Sequence, residues 1–248
     1  MGDEPPKAAA HVEGVAALER GLAIVDALEG AARPLTLAEI AGVTRLYKST
    51  LLRLLASLER CTLVVRRPDQ RYALGTLAFR LGRAFEATYQ IKEAVLPELE
   101  WLIAQGTESP SFYMRHDSAQ RNCILRIDSH HSTLDRVRVG MLLPLDKGAP
   151  GHVITAFAAL GAATPSMLVL ASFGERDPLC AAVSGPVFGP AGELVGAMSL
   201  SGPLERFSPE ATAKMKALIA AAAARATASL GGKWPVRPSD SSTGTSHE

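Results

Sequence analysis

TLAEIAGVTRLYKSTLLRLLASLERCTLVVRRPDQRYAL, residues 36–74, is the stretch whose reading decides the fold. Thr36 with Glu39 three positions later forms a capping box, which opens a short helix burying Leu37, Ile40 and Ala41. Gly42 to Leu46 reads as a break. A second helix, about Lys48 to Arg60, follows at once with Leu51, Leu54, Leu55 and Leu58 on its inner side. Two short helices joined by so tight a turn cross steeply, which is helix-turn-helix geometry. Leu63-Val64-Val65 and Arg71-Tyr72-Ala73-Leu74 then alternate around Arg66-Arg67-Pro68-Asp69-Gln70, the pattern of a β-hairpin whose turn presents arginines.

Upstream, Ala16 to Leu28 places Leu18, Leu22, Val25 and Leu28 on one stripe of a preceding helix that Gly30 and Pro34 close. The outward face of the second helix carries chemistry instead. Tyr47, Lys48, Ser49 and Thr50 fill its first turn, and Arg53 lies one turn further on. A recognition helix enters the major groove by its N-terminal end, where hydroxyls and backbone N–H groups meet phosphates and long side chains reach base edges. Charge agrees. The 248 residues hold 26 Lys plus Arg and 25 Asp plus Glu, a net charge of +1, yet residues 33–83 hold ten basic and three acidic residues, a net of +7. Residues 1–32 carry −4 and 84–248 carry −2. A basic stretch alone suits a solvated face as well as a polyanion. The placement of Lys, hydroxyls and Arg on one helix face beside an arginine-bearing turn favours double-stranded DNA.

With 47% hydrophobic and 21% charged residues the chain reads as globular rather than disordered or fibrous. Cys61, Cys123 and Cys180 are an odd number at wide spacings, which suits neither a disulfide framework nor a zinc knuckle. MGDEPPKAAAHVEG lacks the basic and then apolar regions of a signal peptide, and no apolar run reaches the ~18 residues of a membrane span, so the expected location is the cytoplasm.

Beyond the hairpin, Leu77, Leu81 and Phe85 continue a helical pattern, read as a linker helix over 76–91. About Lys92 to Ala104 is another helix, exposing Glu93, Glu98 and Glu100 and burying Val95, Leu99, Leu102 and Ile103, with Pro97 starting or bending it. From Ser111 the period becomes 2. Strands are expected at 111–116, 123–128, 136–139, 167–171, 181–188 and 193–201, with GPAG at 189–192 as a hairpin turn. Ser208-Pro209 starts a last helix that ends at Gly231-Gly232. The predicted fold class is α+β: a flexible tail over 1–13, a winged helix-turn-helix domain over 14–75, the linker helix, an antiparallel-sheet domain over 92–232 and a second flexible tail over 233–248.

These strings together resemble one family. LTLAEIA, YKSTLLRLLASLER and LVVRRPDQRYALG are similar to the winged helix-turn-helix of IclR-type bacterial transcription regulators. AVLPELEWLIAQGTES (94–109), RVRVGMLLPL (136–145) and PVFGPAGELVGAMSLSGP (186–203) are similar to their ligand-binding half. The resemblance implies a GAF-like α/β effector-binding domain and a homodimer or homotetramer on a pseudo-palindromic operator. The DNA-contacting set would be Arg45, Tyr47, Lys48, Ser49, Thr50, Arg53, Arg66, Arg67 and Arg71. By the same resemblance the effector pocket maps to Met141, Leu143, Gly148, Ala149, Ser199 and Ser201, and the effector is an aromatic or short organic acid. Ser199 and Ser201 lie two apart on one strand face, which suits either a ligand or edge hydrogen bonds.

The chain also departs from the family pattern. Arg45 stands where a Gly usually precedes the leucine of the turn, so either the turn is shaped differently or Arg45 places its charge on a phosphate. Gly148-Ala149-Pro150-Gly151-His152 replaces a Thr-Ala-x-Gly-Lys turn, Ala182 replaces a cysteine, and Ser172 and Phe173 replace an acidic doublet. The segment from Phe157 to Met167 is short. Arg126, Arg136, Arg138 or His152 could replace the lost donors. No nucleophile elbow, phosphate loop or zinc-protease helix occurs, and no Cys or carboxylate lies at chelating spacing from His130-His131 apart from Asp128 and Asp135 in the same loop, so neither catalysis, a cofactor nor a metal is expected. The reading is a ligand-responsive DNA-binding regulator; a regulator with a non-sensing C-terminal domain and a small-molecule enzyme are the alternatives.

Overall fold

Thr36 and Glu39 close their capping box in the computed structural model, which describes residues 14–31, 33–129, 136–158 and 168–235. The Thr36 hydroxyl accepts from the Glu39 N–H at 3.2 Å, and the Glu39 carboxylate accepts from the Thr36 N–H at 2.7 Å. Such a cap is worth ~1 kcal/mol to the helix it opens.

The chain divides into two units, Met1–Tyr89 and Gln90–Glu248. The first contains α1 (Ala16–Glu29), α2 (Leu37–Thr44), α3 (Lys48–Arg60), β1 (Val64–Arg66), β2 (Tyr72–Leu74) and α4 (Thr76–Tyr89). Ile24, Leu28, Leu35, Ile40, Leu51, Leu55, Val64 and Tyr72 form its core, so three helices and a hairpin bury one apolar cluster. β1 and β2 pair antiparallel, Val64 opposite Leu74 and Arg66 opposite Tyr72. Gly75 follows because a Cβ there would collide with the Thr62 carbonyl, whose oxygen accepts from Leu77 N–H.

Two expectations change here. The stripe on α1 is its buried face only toward its C-terminal end: Gly21, Ile24 and Leu28 face the core and Val25 is half-buried, while Leu18 is 62% and Leu22 48% exposed. The helix is apolar on two sides, and periodicity cannot say which side the neighbouring helices cover. The break also starts later than Gly42, because α2 runs through Thr44 and only Arg45 to Tyr47 separate it from α3. Gly42 meets nothing and stays helical at small cost.

The second unit is a six-stranded antiparallel sheet of order β5-β4-β3-β8-β7-β6. Its strands are β3 (Ser109–Arg115), β4 (Gln120–Arg126), β5 (Leu142–Pro144), β6 (Leu170–Phe173), β7 (Cys180–Phe188) and β8 (Leu194–Pro203). α5 (Ile91–Ala104) and α7 (Pro209–Ser229) cover one face around Val95, Leu99, Phe112, Met198, Leu200 and Ile219. α6 (Ala149–Ala156) covers the other, where Val153 and Ile154 meet Tyr113, Cys123, Leu143 and Ala197. Helices on both faces of an antiparallel sheet give the GAF-like α+β arrangement. α5 continues through Pro97, whose ring is exposed while Ala94, Val95, Leu99 and Leu102 anchor the opposite side. Glu98 is not free on that helix: Arg225 of α7 donates to it from Nε at 2.8 Å and lies over the Trp101 ring at 4.0 Å.

The Arg136–Val139 strand does not form. Residues 136–138 have no regular structure, Gly140 turns with φ 87, and the strand beside β4 is Leu142–Pro144 instead. Burial of Val137 alone satisfies the alternation that suggested a strand. The strand expected at 167–171 is displaced to 170–173, paired with Ala181–Ser184 of β7. Gly189 to Gly192 makes the predicted hairpin turn, and Ser208 caps α7 through the Ala211 N–H. Trp234, inside the expected C-terminal tail, packs against the Phe188 ring at 6.2 Å. The N-terminal tail over 1–13, His130-His131 and most of the shortened Phe157–Met167 segment lie outside the described residues.

Candidate nucleic-acid interface and effector cavity

Helix α3 starts without a side-chain cap. Its N-cap is Tyr47 (φ −63, ψ 142), no side chain accepts from the first turn, and no acid lies in that turn. The opening N–H groups are therefore free to meet an anion, which the helix dipole also favours. Around them Arg45, Tyr47, Lys48, Ser49 and Arg53 are exposed, and Thr50 is half-buried. Tyr47 is 86% exposed, a large aromatic kept in water by its own domain. Leu51 and Leu55 on the opposite side sit in the core and fix which face of α3 looks outward.

Arg45 resolves the question raised by its position. It closes α2 in the left-handed conformation (φ 55, ψ 23), with its N–H donating to the Ala41 carbonyl at 2.9 Å. The turn keeps the shape a glycine would give it, and an exposed arginine takes the strain.

In the hairpin, Arg67 to Gln70 form the turn: Gln70 N–H donates to Arg67 O at 3.0 Å, and Gln70 adopts φ 64. Arg66 and Arg67 are exposed, and the Arg66 guanidinium lies 5.8 Å from the Tyr72 ring centre. Arg71 is occupied within the domain. Its Nη1 meets the Glu39 carboxylate at 3.3 Å and its Nε lies 4.0 Å from Asp69. Arg71 thus ties the hairpin to α2. Glu39 is the hub of this corner. The Arg33 guanidinium at 2.7 Å, followed by the Thr36 amide and hydroxyl, lowers its carboxyl from 4.5 to about 2. Arg33 lies outside the recognised motif, and only the folded chain brings it to Glu39.

The second unit holds a small cavity at the start of α6, about 30 Å³ in volume. Of the six residues mapped to an effector pocket, Gly148 and Ser201 line it. Ala149 donates its N–H to the Ser172 hydroxyl at 2.7 Å. Ser199 donates its hydroxyl to Val183 O at 3.1 Å, Leu143 packs in the core, and Met141 is exposed. Ala182 lines the cavity as well. Of the four replacement donors, Arg126 pairs with Asp128 at 2.7 Å, Arg136 and Arg138 are exposed, and His152 pairs with Glu175 at 2.5 Å.

Two residues that the sequence reading missed dominate this cavity. Arg121, on β4, is 2% exposed and lines it. Its Nη1 donates to the carbonyls of Pro144 and Lys147, it lies 5.4 Å from the Tyr113 ring centre, and burial lowers its pKa. Glu175 accepts from the Gly148 N–H at 2.9 Å. Burial opposes its ionisation, but the Gly148 amide and the His152 imidazole outweigh it and hold the carboxyl below its ordinary range. Strand alternation puts Arg121 on the same face as buried Cys123, a signal that could have marked it. Nothing local marks Glu175.

A winged helix-turn-helix whose basic helix start and hairpin are exposed, on a chain with an antiparallel α+β domain, defines a DNA-binding transcription regulator. Residues 17–68 match the IclR helix-turn-helix domain. None of the curated proteins matches it. Among solved structures it is similar to an IclR transcriptional regulator from Alicyclobacillus acidocaldarius (22% identity, 89% of this chain and 100% of that one, TM-score 0.72). It is also similar to the Thermotoga maritima IclR (20%, 86% and 98%, TM-score 0.65). A third likeness is to an IclR homolog from Microbacterium hydrocarbonoxydans complexed with 4-hydroxybenzoate (16%, 87% and 99%, TM-score 0.73). Among the described residues no group of side chains could hold a metal ion, and no helix is long and apolar enough to cross a membrane.

Proposed function

We propose that the protein is a ligand-responsive regulator that binds a pseudo-palindromic operator as a dimer or a pair of dimers. The uncapped, acid-free start of α3 with Lys48, Ser49 and Arg53 exposed around it carries this reading. Base readout and register fall to Tyr47, Lys48, Ser49, Thr50 and Arg53, and phosphate contact to Arg45, Arg66 and Arg67. Arg71, held by Glu39, positions the hairpin. Self-association is supported by apolar side chains that the first unit leaves in water: Leu18 and Leu22 on α1, and Phe79, Leu81 and Phe85 on α4. Two recognition helices one DNA turn apart, ~34 Å, require such pairing.

The test is binding to duplex promoter fragments across a salt series. With about six phosphates neutralised per half-site, log affinity falls against log salt with a slope of about −5 per half-site. A salt-insensitive interaction, or none in dilute buffer, sinks the reading.

Arg45 offers a sharper check. Arg45→Gly relieves the left-handed strain and stabilises the first unit by about 1 kcal/mol. The same change removes a phosphate contact, so duplex affinity drops severalfold and the salt slope shrinks by about 1. A variant that is more stable and binds DNA unchanged removes Arg45 from the interface.

The effector reading narrows to a compact acid. A cavity of about 30 Å³ has room for roughly two water molecules, far less than the hydroxybenzoate of the Microbacterium homolog occupies.

A further inference from the structure

One carboxylate at the foot of the hairpin faces two arginines. Glu39 Oε1 accepts from Arg33 Nη2 at 2.7 Å, and Glu39 Oε2 accepts from Arg71 Nη1 at 3.3 Å. The second oxygen is shared with the Thr36 N–H at 2.7 Å and the Thr36 hydroxyl at 2.8 Å. Its carboxyl, held at about 2, keeps Glu39 charged near neutral pH, yet one negative charge offsets only one of the two cations. Arg33, Pro34, Glu39, Arg67, Asp69 and Arg71 line a single depression of about 510 Å³ on the first unit. Three guanidinium groups meet two carboxylates there, and one positive charge is left over.

The two arginines are not held alike. Arg71 belongs to the hairpin, whose root is pinned by backbone: Leu35 N–H donates to Tyr72 O at 2.9 Å, and Tyr72 N–H donates to Leu35 O at 2.7 Å. Its Nε also lies 4.0 Å from Asp69. Arg33 comes from the connection before α2, and its side chain is 58% exposed against 38% for Arg71. An ion pair in water holds weakly, so Arg33 leaves Glu39 at small cost when a better anion arrives. Glu39 takes one arm of its guanidinium, whereas a phosphate accepts two.

We propose that Arg33 is a further contact to a DNA backbone phosphate and that Glu39 restrains it in the free protein. Binding then transfers the guanidinium from carboxylate to phosphate. Arg67, exposed in the hairpin turn, lines the same depression and draws the strand toward it. Glu39 lowers affinity for every duplex alike, because it occupies Arg33 and repels phosphate. This contact rests on reading the first unit as a DNA-binding domain. To that reading it adds an arginine outside the helix-turn-helix face and an internal competitor for it.

Titration of the full chain with a labelled random-sequence duplex across a salt series tests both parts. Arg33→Ala weakens binding severalfold and reduces the salt slope by about 1, and Arg33→Lys, which keeps the charge, restores the slope. Glu39→Gln retains an acceptor for the Thr36 N–H in the capping box but no longer pairs with Arg33. Its affinity rises about threefold or more above that of Glu29→Gln, an exposed change that removes the same charge from α1. In the Arg33→Ala background that extra rise disappears. A Glu39 that served only the fold would lower affinity and melting temperature together.

A fall in affinity in Glu39→Gln, a rise no greater than that of Glu29→Gln, or the same rise without Arg33 overturns the proposal. Inorganic phosphate titrated into the DNA-free chain gives no saturable binding. Saturable binding that Arg33→Ala abolishes would assign the depression to a free anion and overturn the contact to a strand. Wild-type duplex binding with Arg33→Ala unchanged removes this contact alone, whereas no duplex bound by any variant in dilute buffer removes the DNA-binding reading with it.

Discussion

Arg53→Ala lowers affinity for the operator duplex by roughly tenfold to a hundredfold, about 1–3 kcal/mol, and narrows the gap between operator and unrelated DNA. The residue sits one turn into α3 on the face opposite Leu51 and Leu55, exposed to water. Removing it leaves the core untouched, so the melting temperature stays within the small change typical of surface positions. Titration of operator and scrambled duplexes at two salt concentrations distinguishes its role. A base contact costs affinity on the operator alone; a phosphate contact costs it equally on both and reduces the salt slope by about 1. Affinity and specificity both unchanged would place the interface elsewhere.

Leu51→Ala, two residues away, acts through stability. Leu51 is fully buried among Ile24, Ile40, Leu55 and Tyr72, and its truncation leaves a cavity costing about 2–5 kcal/mol. Domains are stable by only about 5–15 kcal/mol, so much of the margin of this small unit goes. Chemical denaturation shows the loss directly, and DNA binding then falls with temperature as the folded population declines. A cost below about 1 kcal/mol would mean that α3 is not docked through this side chain. The pair makes a single test of which face of α3 is which: one change alters recognition without stability, the other stability first.

The helix-turn-helix was legible because its determinants are local. A capping box at Thr36, a leucine pattern of helical period in α3, and alternation around Arg67-Pro68-Asp69-Gln70 each specify a short element through contacts within a few residues. The same rules misplaced part of the buried face of α1. Its two apolar sides are equivalent to periodicity, and only α2 and α3 settle which one is covered. They also placed a strand at Arg136–Val139, since alternation reports one-sided burial and not the presence of a pairing partner.

The effector region was less legible. Of the residues that motif likeness mapped to the pocket, Gly148 and Ser201 line the cavity, and the Ser199 hydroxyl donates to a backbone carbonyl of the neighbouring strand. Arg121 and Glu175 stand 54 positions apart in the chain and meet one cavity because β4 and the β6–β7 segment both flank the start of α6. Arg71 belongs to the same class. Its partner Glu39 stands 32 residues earlier in the chain.

By itself, then, the amino-acid order determined the class of protein, the elements of the DNA-binding unit and the residues on the outer face of α3. These follow from caps, periods and charge that act over one or two turns of chain. Tertiary structure alone decided which cations remain available. Arg53, Arg66 and Arg67 face water, Arg71 shares the Glu39 carboxylate with Arg33, and Arg121 is enclosed with no carboxylate at ion-pair distance among the described residues. A charge is given its partner, or denied one, by segments distant in sequence, and that pairing exists only once the backbone has brought them within a few ångströms.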